Sequence, residues 1–301
     1  MQPQFQHKLI TSFTLWLDNH LLTKGQAFRN ISNHALIHNS DSTLADQTVF
    51  SSAYKQWVFD SSEPNATVNN FVSGLGFTDL NRSLHNDLKI DYNNGRIMYD
   101  SSNTAITSST KFQMNFAVKD FNIYVTDETE EDLVIENKYN TNNRYSTLTD
   151  STPIEPYVPV TPAIFVSFQE SQNKPFALGG LDETSTEIRC VVFAENSFQL
   201  DGALSILNDS NKKTIAQLEF EDYPLNEFGD LKTGANSYNL TDGDGNPFFS
   251  YTGLAASKTS QFFIEDVIVS KLSDRVKQKI NPNLFIGFVD FQISKHRNPR
   301  L

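Results

Sequence analysis

His34 and His38 stand four residues apart, the spacing that on a helix would aim two imidazoles at one metal ion. No further His or Cys stands near them, and Asn, Ser and Asp surround them, so the pair reads as loop histidines. Cys190 is the single cysteine. It falls in a run of strand character and reads as a buried core residue, not a reactive thiol. Gly74-Leu75-Gly76 begins a dinucleotide-binding fingerprint but has no third glycine and no following helix. Two acidic stretches have calcium-like composition: residues 127–132, and Asp242-Gly243-Asp244-Gly245-Asn246-Pro247. The second lacks the alternating ligand ladder, and Gly253 stands where a bidentate Glu would close the loop. Both read as solvated turns.

The usual signatures of hydrolytic, phosphate-binding and zinc chemistry are missing: His-Glu-x-x-His, Gly-x-Ser-x-Gly, Gly-x4-Gly-Lys-Ser/Thr and Cys-x2-Cys. A Ser/His/Asp triad assembled from remote positions stays open. A glycosidase would need two carboxylates converging in a cleft, and the carboxylates are too many to choose a pair. The sequence therefore assigns no catalytic, cofactor-binding or metal residue, and a non-enzyme is the expectation.

Charge narrows the partners. The 301 residues carry a net charge of −12, shared evenly: 11 Lys and Arg against 17 Asp and Glu up to residue 150, then 13 against 19. An evenly acidic surface argues against wrapping nucleic-acid phosphates, so no sequence-specific nucleic-acid partner is expected, while a duct through which DNA slides without sticking stays open. A lone cysteine allows no intrachain disulfide and suits a reducing place of assembly. No stretch reaches the ~20 apolar residues of a membrane-spanning helix, and no secretory leader pattern opens the chain.

The elements that would hold any site read as α+β, mostly β. Phe5, Leu9, Phe13, Trp16, Leu17 and Leu21 recur at helical spacing, giving an N-terminal helix over 4–22 with a Lys24-Gly25 stop. Its aromatic face could dock on another subunit or pack on its own domain. Residues 30–52 read as polar and irregular, followed by strand-like runs at 54–59 and 71–77. Asn94-Gly95 predicts a two-residue type I′ hairpin over 88–99, with Tyr92 facing Ile97 and Ile90 facing Tyr99. The alternation over 112–126 changes parity near Lys119-Asp120, which predicts a bulge or a bend. Residues 133–139 read as a strand. This first domain, 1–140, is expected to be β-sandwich-like.

Pro153, Pro156, Pro159 and Pro162 stand three apart, the polyproline period, so 141–162 reads as a stiff linker. The second domain, 163–301, is expected to be α/β, with a mixed sheet and one principal helix. Strands are expected over 163–168, 187–195, 262–272 and 284–294. Residues 174–181 read as a loop. Asn196-Ser197 supplies an N-cap, and Leu200, Ala203, Leu204 and Leu207 follow at the spacing of one buried helix face. Residues 214–218 could add a further turn, and the basic tail 296–301 reads as an arm.

Several stretches resemble virion structural proteins of tailed bacteriophages, especially contractile-tailed phages of marine bacteria. They are residues 16–28 (Trp16 to Phe28), 118–124, 175–182 (Pro175 to Asp182), 187–201, and Ile280-Asn281-Pro282 before Val289-Asp290-Phe291. The element order after residue 163 is similar to tail-terminator and head–tail joining proteins, at the level of fold only. The resemblance implies a non-enzymatic protein of the neck or tail, a connector or tail terminator. It would be assembled in the host cytoplasm into the virion as a cyclic homo-oligomer, a hexamer if the tail-capping analogy holds, against other neck and tail proteins. A carbohydrate-binding or adhesin-like β module is the alternative; exposure of Tyr54, Trp57 and Tyr99 on one face would favour it, and their burial would count against it.

Overall fold

The computed structural model of the chain describes residues 2–39, 44–68, 70–71, 88–102, 106–136, 140–141, 159–177, 179–232, 240–241, 247–273 and 284–298. Expectations for 72–77, 137–139, most of the 141–162 linker, the 242–246 turn, Ile280-Asn281-Pro282 and the last three residues lie outside the described residues. In chain order the elements are helix α1 (Phe5–Gly25), then β1 (Phe28–Asn39), β2 (Gln47–Ser51), β3 (Asn70–Phe71), β4 (Lys89–Asp91), β5 (Arg96–Asp100), β6 (Phe112–Lys119) and β7 (Asn122–Val125). A π-helical turn (Asp132–Glu136), β8 (Asn140–Thr141), β9 (Val160–Thr161), β10 (Ala163–Ala177), β11 (Leu181–Ala194) and α2 (Ser197–Asn208) follow. The chain continues with β12 (Thr214–Ala216), a 3-10 turn (Phe220–Asp222), β13 (Leu240–Thr241), β14 (Pro247–Phe248), α3 (Tyr251–Ala256), β15 (Gln261–Lys271) and β16 (Phe285–Arg297).

Two six-stranded sheets carry the fold, in the orders β3-β6-β1-β2-β5-β4 and β12-β15-β16-β11-β10-β7. The first is antiparallel throughout. The second is mixed, because β7 runs parallel to β10. The α+β, mostly β expectation holds. The strand-to-helix unit is as read: Asn196 adopts an extended conformation and its side chain accepts from the Gln199 N–H, while Leu200, Ala203, Leu204 and Leu207 are buried. The change of parity at Lys119-Asp120 is a bend with a consequence: β6 ends there and β7 joins the second sheet.

Helix α1 is core, not a free docking element. Phe13 is fully buried, with its ring 5.0 Å from Phe291 on β16. On another side Leu22 clusters with Val58 and Ala117 of the first sheet's layer. Of the two uses open to this face, packing inside the chain is the one found. The glycine stop is corrected. Gln26, not Gly25, takes the left-handed conformation (φ 45°), and a Cβ on Gly25 would only press on the movable Ile206 Cδ1 methyl at 2.6 Å.

Other corrections have local causes. The irregular 30–52 stretch contains β1 and β2; a register shift between Ile31 and His34, with Asn33 at φ 54°, broke the alternation that would have signalled β1. Residues 54–59 form no strand: Gln56 is left-handed (φ 56°), and the segment makes a single bridge, Trp57 to Val118. Residues 132–136 are π-helical, not a strand: Thr129 and Asp132 exchange side-chain-to-backbone hydrogen bonds in a capping box. Residues 174–177 continue β10, and the turn is made by Gly179 and Gly180, both at positive φ. Residues 214–216 are β12 on the sheet edge: the helix ends at Asn208, and after Lys212 at φ 63° the chain bonds to Ile264 of β15. The 262–272 strand is apolar on two faces but covered on one: Phe263 and Ile268 are exposed. His296 and Arg297 extend β16 against β11, and the Arg297 guanidinium sits over the Phe5 ring.

Candidate functional site

The residues weighed for chemistry in the sequence do not come together. His34 and His38 both lie on β1, each edge-on to aromatic rings: His34 to Tyr54 and Phe116, His38 to Phe50. Burial alone holds the His34 pKa below the ordinary imidazole value. Cys190 is fully buried, and loss of solvation raises its thiol pKa far out of the reactive range. Among the described residues no group of three His, Cys, Asp or Glu is placed to hold a metal ion. No helix of the described residues is long and apolar enough to cross a membrane. Tyr54, Trp57 and Tyr99, the proposed sugar platform, are all buried, which counts against the adhesin-like alternative in that form.

The structure gathers other residues into a cleft of about 330 Å³. Its walls come from five separate segments: Thr14 on α1, Lys55 and Gln56, Asn93 and Asn94 in the β4–β5 turn, β7, and the 223–229 loop. The geometry begins at the hairpin. The register pairs Ile90 with Ile97 and Asp91 with Arg96, so the turn has four residues, not two. Asp91 makes this choice: its carboxylate accepts from the Asn94 backbone N–H at 3.0 Å and from Arg96 Nε at 2.7 Å. The slip is by two residues, which preserves side-chain parity. The Asn94-Gly95 signal thus located the turn but misjudged its length, and Gly95 has the positive φ (65°) expected of it.

The 52–58 segment is threaded between this turn and β6. The Gln56 N–H donates to the Asn93 carbonyl at 3.0 Å, and the Gln56 carbonyl accepts from Lys119 N–H at 3.1 Å. Two fixed bonds on opposite sides hold Gln56 at φ 56°, a left-handed conformation uncommon for such a side chain. The 223–229 loop closes the remaining side. Asn226 Oδ1 accepts from the Phe228 and Asp230 N–H groups at 2.9 and 3.1 Å, setting the exposed Phe228 ring at the rim. Gly229 touches the hairpin so closely that a Cβ would lie 2.3 Å from Asp91 Oδ1. On the β7 wall the Tyr124 hydroxyl accepts from the Val160 N–H at 3.2 Å. Burial pushes the Tyr124 phenol up to about 12, against the lowering effect of that hydrogen bond. Tyr223 is likewise pushed up to about 12 by burial and then by the Asp18 charge. Both phenols are neutral at ordinary pH.

Beneath the cleft a charge network joins α1 to the first sheet. Lys119 Nζ donates to Asp18 at 2.8 Å and lies 4.3 Å from the Phe59 ring centroid. Desolvation nonetheless raises the Asp18 pKa, with the Lys119 charge opposing it. On the outer face of the second sheet Arg189 grips Asp290 with two hydrogen bonds, at 2.5 and 3.0 Å, and also contacts Glu130. These are structural ties: each cation is matched by carboxylates, and neither network lines the cleft. No sequence motif could have found the cleft, because its residues range from Thr14 to Gly229 and none is chemically unusual alone. Comparison with known families finds no family model that matches the chain, and comparison with curated proteins finds no match.

Proposed function

We propose that the chain is a non-enzymatic structural protein of a tailed-phage particle, assembling in the neck or tail as a ring of identical copies. The resemblance in residues 16–28, 118–124, 175–182 and 187–201 motivates the reading. One observation carries it to a surface. Strand β7 covers only Ala163–Val166 of β10, so from Ser167 to Ala177 the outer edge of β10 has no strand partner among the described residues. This part of β10 is also largely exposed on its faces, and with β11 and β16 it forms a long three-stranded end of the sheet. Monomeric proteins blunt such edges. Here Lys174 and Pro175 guard the far end and a bulge between Phe168 and Glu170 interrupts the near one, leaving the run from Glu170 to Asn173 open to main-chain pairing. A neighbouring copy adding a strand there, repeated by rotation, closes a ring.

Cryo-electron microscopy of the particle of the encoding phage tests this. Density for the chain should appear at the neck or tail in cyclic symmetry, with the 170–173 edge against another subunit. Absence of the chain from purified particles overturns the reading, as does a single copy with this edge facing solvent. Ser171→Pro removes one outward-facing edge N–H without touching the β10–β11 ladder, and should block assembly while leaving the thermal midpoint of the isolated chain nearly unchanged.

A further inference from the structure

We propose that the cleft between the two sheets binds a neutral saccharide ring. The inference goes beyond the assembly reading and stands without it. At about 330 Å³ the cleft lies at the small end of the range of ligand sites, ~300–1,000 Å³, enough for one or two sugar units.

Its chemistry selects the class. Asn93 lines it with a carboxamide, which donates and accepts at once, as sugar hydroxyls do, beside Gln56 and Asn94, whose side chains are already bonded to the Tyr124 hydroxyl and to Asp91. Tyr124, Tyr223 and Phe228 add aromatic surface, suited to the C–H faces of a pyranose; the Tyr124 hydroxyl itself is held by Val160 and Gln56. The charged lining residues, Lys55 and Glu227, are of opposite sign, so the lining holds no excess charge to select an anion or a cation. Thr14 lies at the wall formed by α1, nine-tenths buried, and its hydroxyl oxygen has no hydrogen-bond partner, an uncommon state for a buried polar group and one often met at functional sites. The walls are preset: Gln56 is locked by bonds on both sides, and Phe228 is held by Asn226. Little ordering would then be needed on binding.

The test is a titration of the isotopically labelled full chain with neutral hexoses and N-acetylhexosamines, followed by backbone amide shifts. Saturable shifts are expected at residues 54–57, 93–95, 123–125 and 223–229, with charged glucosamine and glucuronate binding no tighter than their neutral counterparts. Phe228→Ala and Asn93→Ala change exposed or half-exposed side chains, and each should weaken binding about tenfold without moving the thermal midpoint. The proposal is overturned by the absence of saturable shifts with every neutral sugar, by shifts elsewhere, by tighter binding of a charged sugar, or by full affinity in both variants. Virion imaging does not enter these outcomes, so the two readings fail separately.

Discussion

A Cβ built on Gly95 would lie 1.8 Å from the Tyr54 carbonyl oxygen, far inside van der Waals contact. The residue also has φ 65°. Turn and 52–58 segment are therefore locked together by the lack of a side chain at one position. Gly95→Ala should destabilise the chain by about 3 kcal/mol or more, through backbone strain added to a clash with main-chain atoms that cannot rotate away. Chemical denaturation of the purified variant checks it, and a loss under ~1 kcal/mol would mean that the segment moves aside.

Asp91 and Arg96 form an ion pair with almost no solvent exposure on either side chain. Removing one partner leaves a buried charge. Arg96→Leu should cost about 3–5 kcal/mol. The double variant Asp91→Asn/Arg96→Leu should be less damaged than the sum of the singles, read as a positive coupling in a double-mutant cycle.

Asp230 is buried with one carboxylate oxygen lacking a hydrogen-bond partner, and desolvation raises its pKa to about 6. The folded chain therefore holds a proton that the unfolded chain, at 3.8, has already released. Its contribution favours folding below the unfolded value and is lost as pH rises through about 6. Asp230→Asn keeps the shape without the charge. It should stabilise the chain at pH 7–8 by on the order of 1–2 kcal/mol after solvent screening, with the gain shrinking towards acid pH. His20 works the other way: burial and the Lys213 charge lower its pKa to about 4, so its contribution fades as pH falls below 6.5. The comparison must accordingly be between wild type and variant across pH. A pH-independent difference would contradict the assignment to Asp230.

Cys190 should label with a thiol reagent only as fast as the chain opens. It is fully buried on β11, and burial opposes its ionisation. Labelling of the native protein at the rate of the denatured chain would show that β11 is not the covered strand described here.

Local rules reached the parts of this protein that local chemistry decides. The Asn196 cap and the Leu200, Ala203, Leu204, Leu207 stripe lie within a dozen residues, and a helix needs nothing remote to present them. Gly95 marked its turn because only positive φ suits the site. The mostly β character followed from repeated short alternation. Where an element depends on distant contacts, the sequence was ambiguous or misleading. The aromatic stripe of α1 would serve a subunit interface or a core equally well; Phe291, nearly three hundred residues away, decided for the core. β1 was hidden because its bulge shifts parity and only Leu36 on it is buried. The hairpin register passed to Asp91, whose carboxylate outbid the two-residue turn. The cleft was the least legible feature. Gln56, Asn93, Tyr124 and Phe228 are ordinary residues in their own segments, and they acquire a common chemistry only when five segments meet. Periodicity and caps act over a few residues and are written in order along the chain, whereas a concave site is made by packing, which no short stretch encodes.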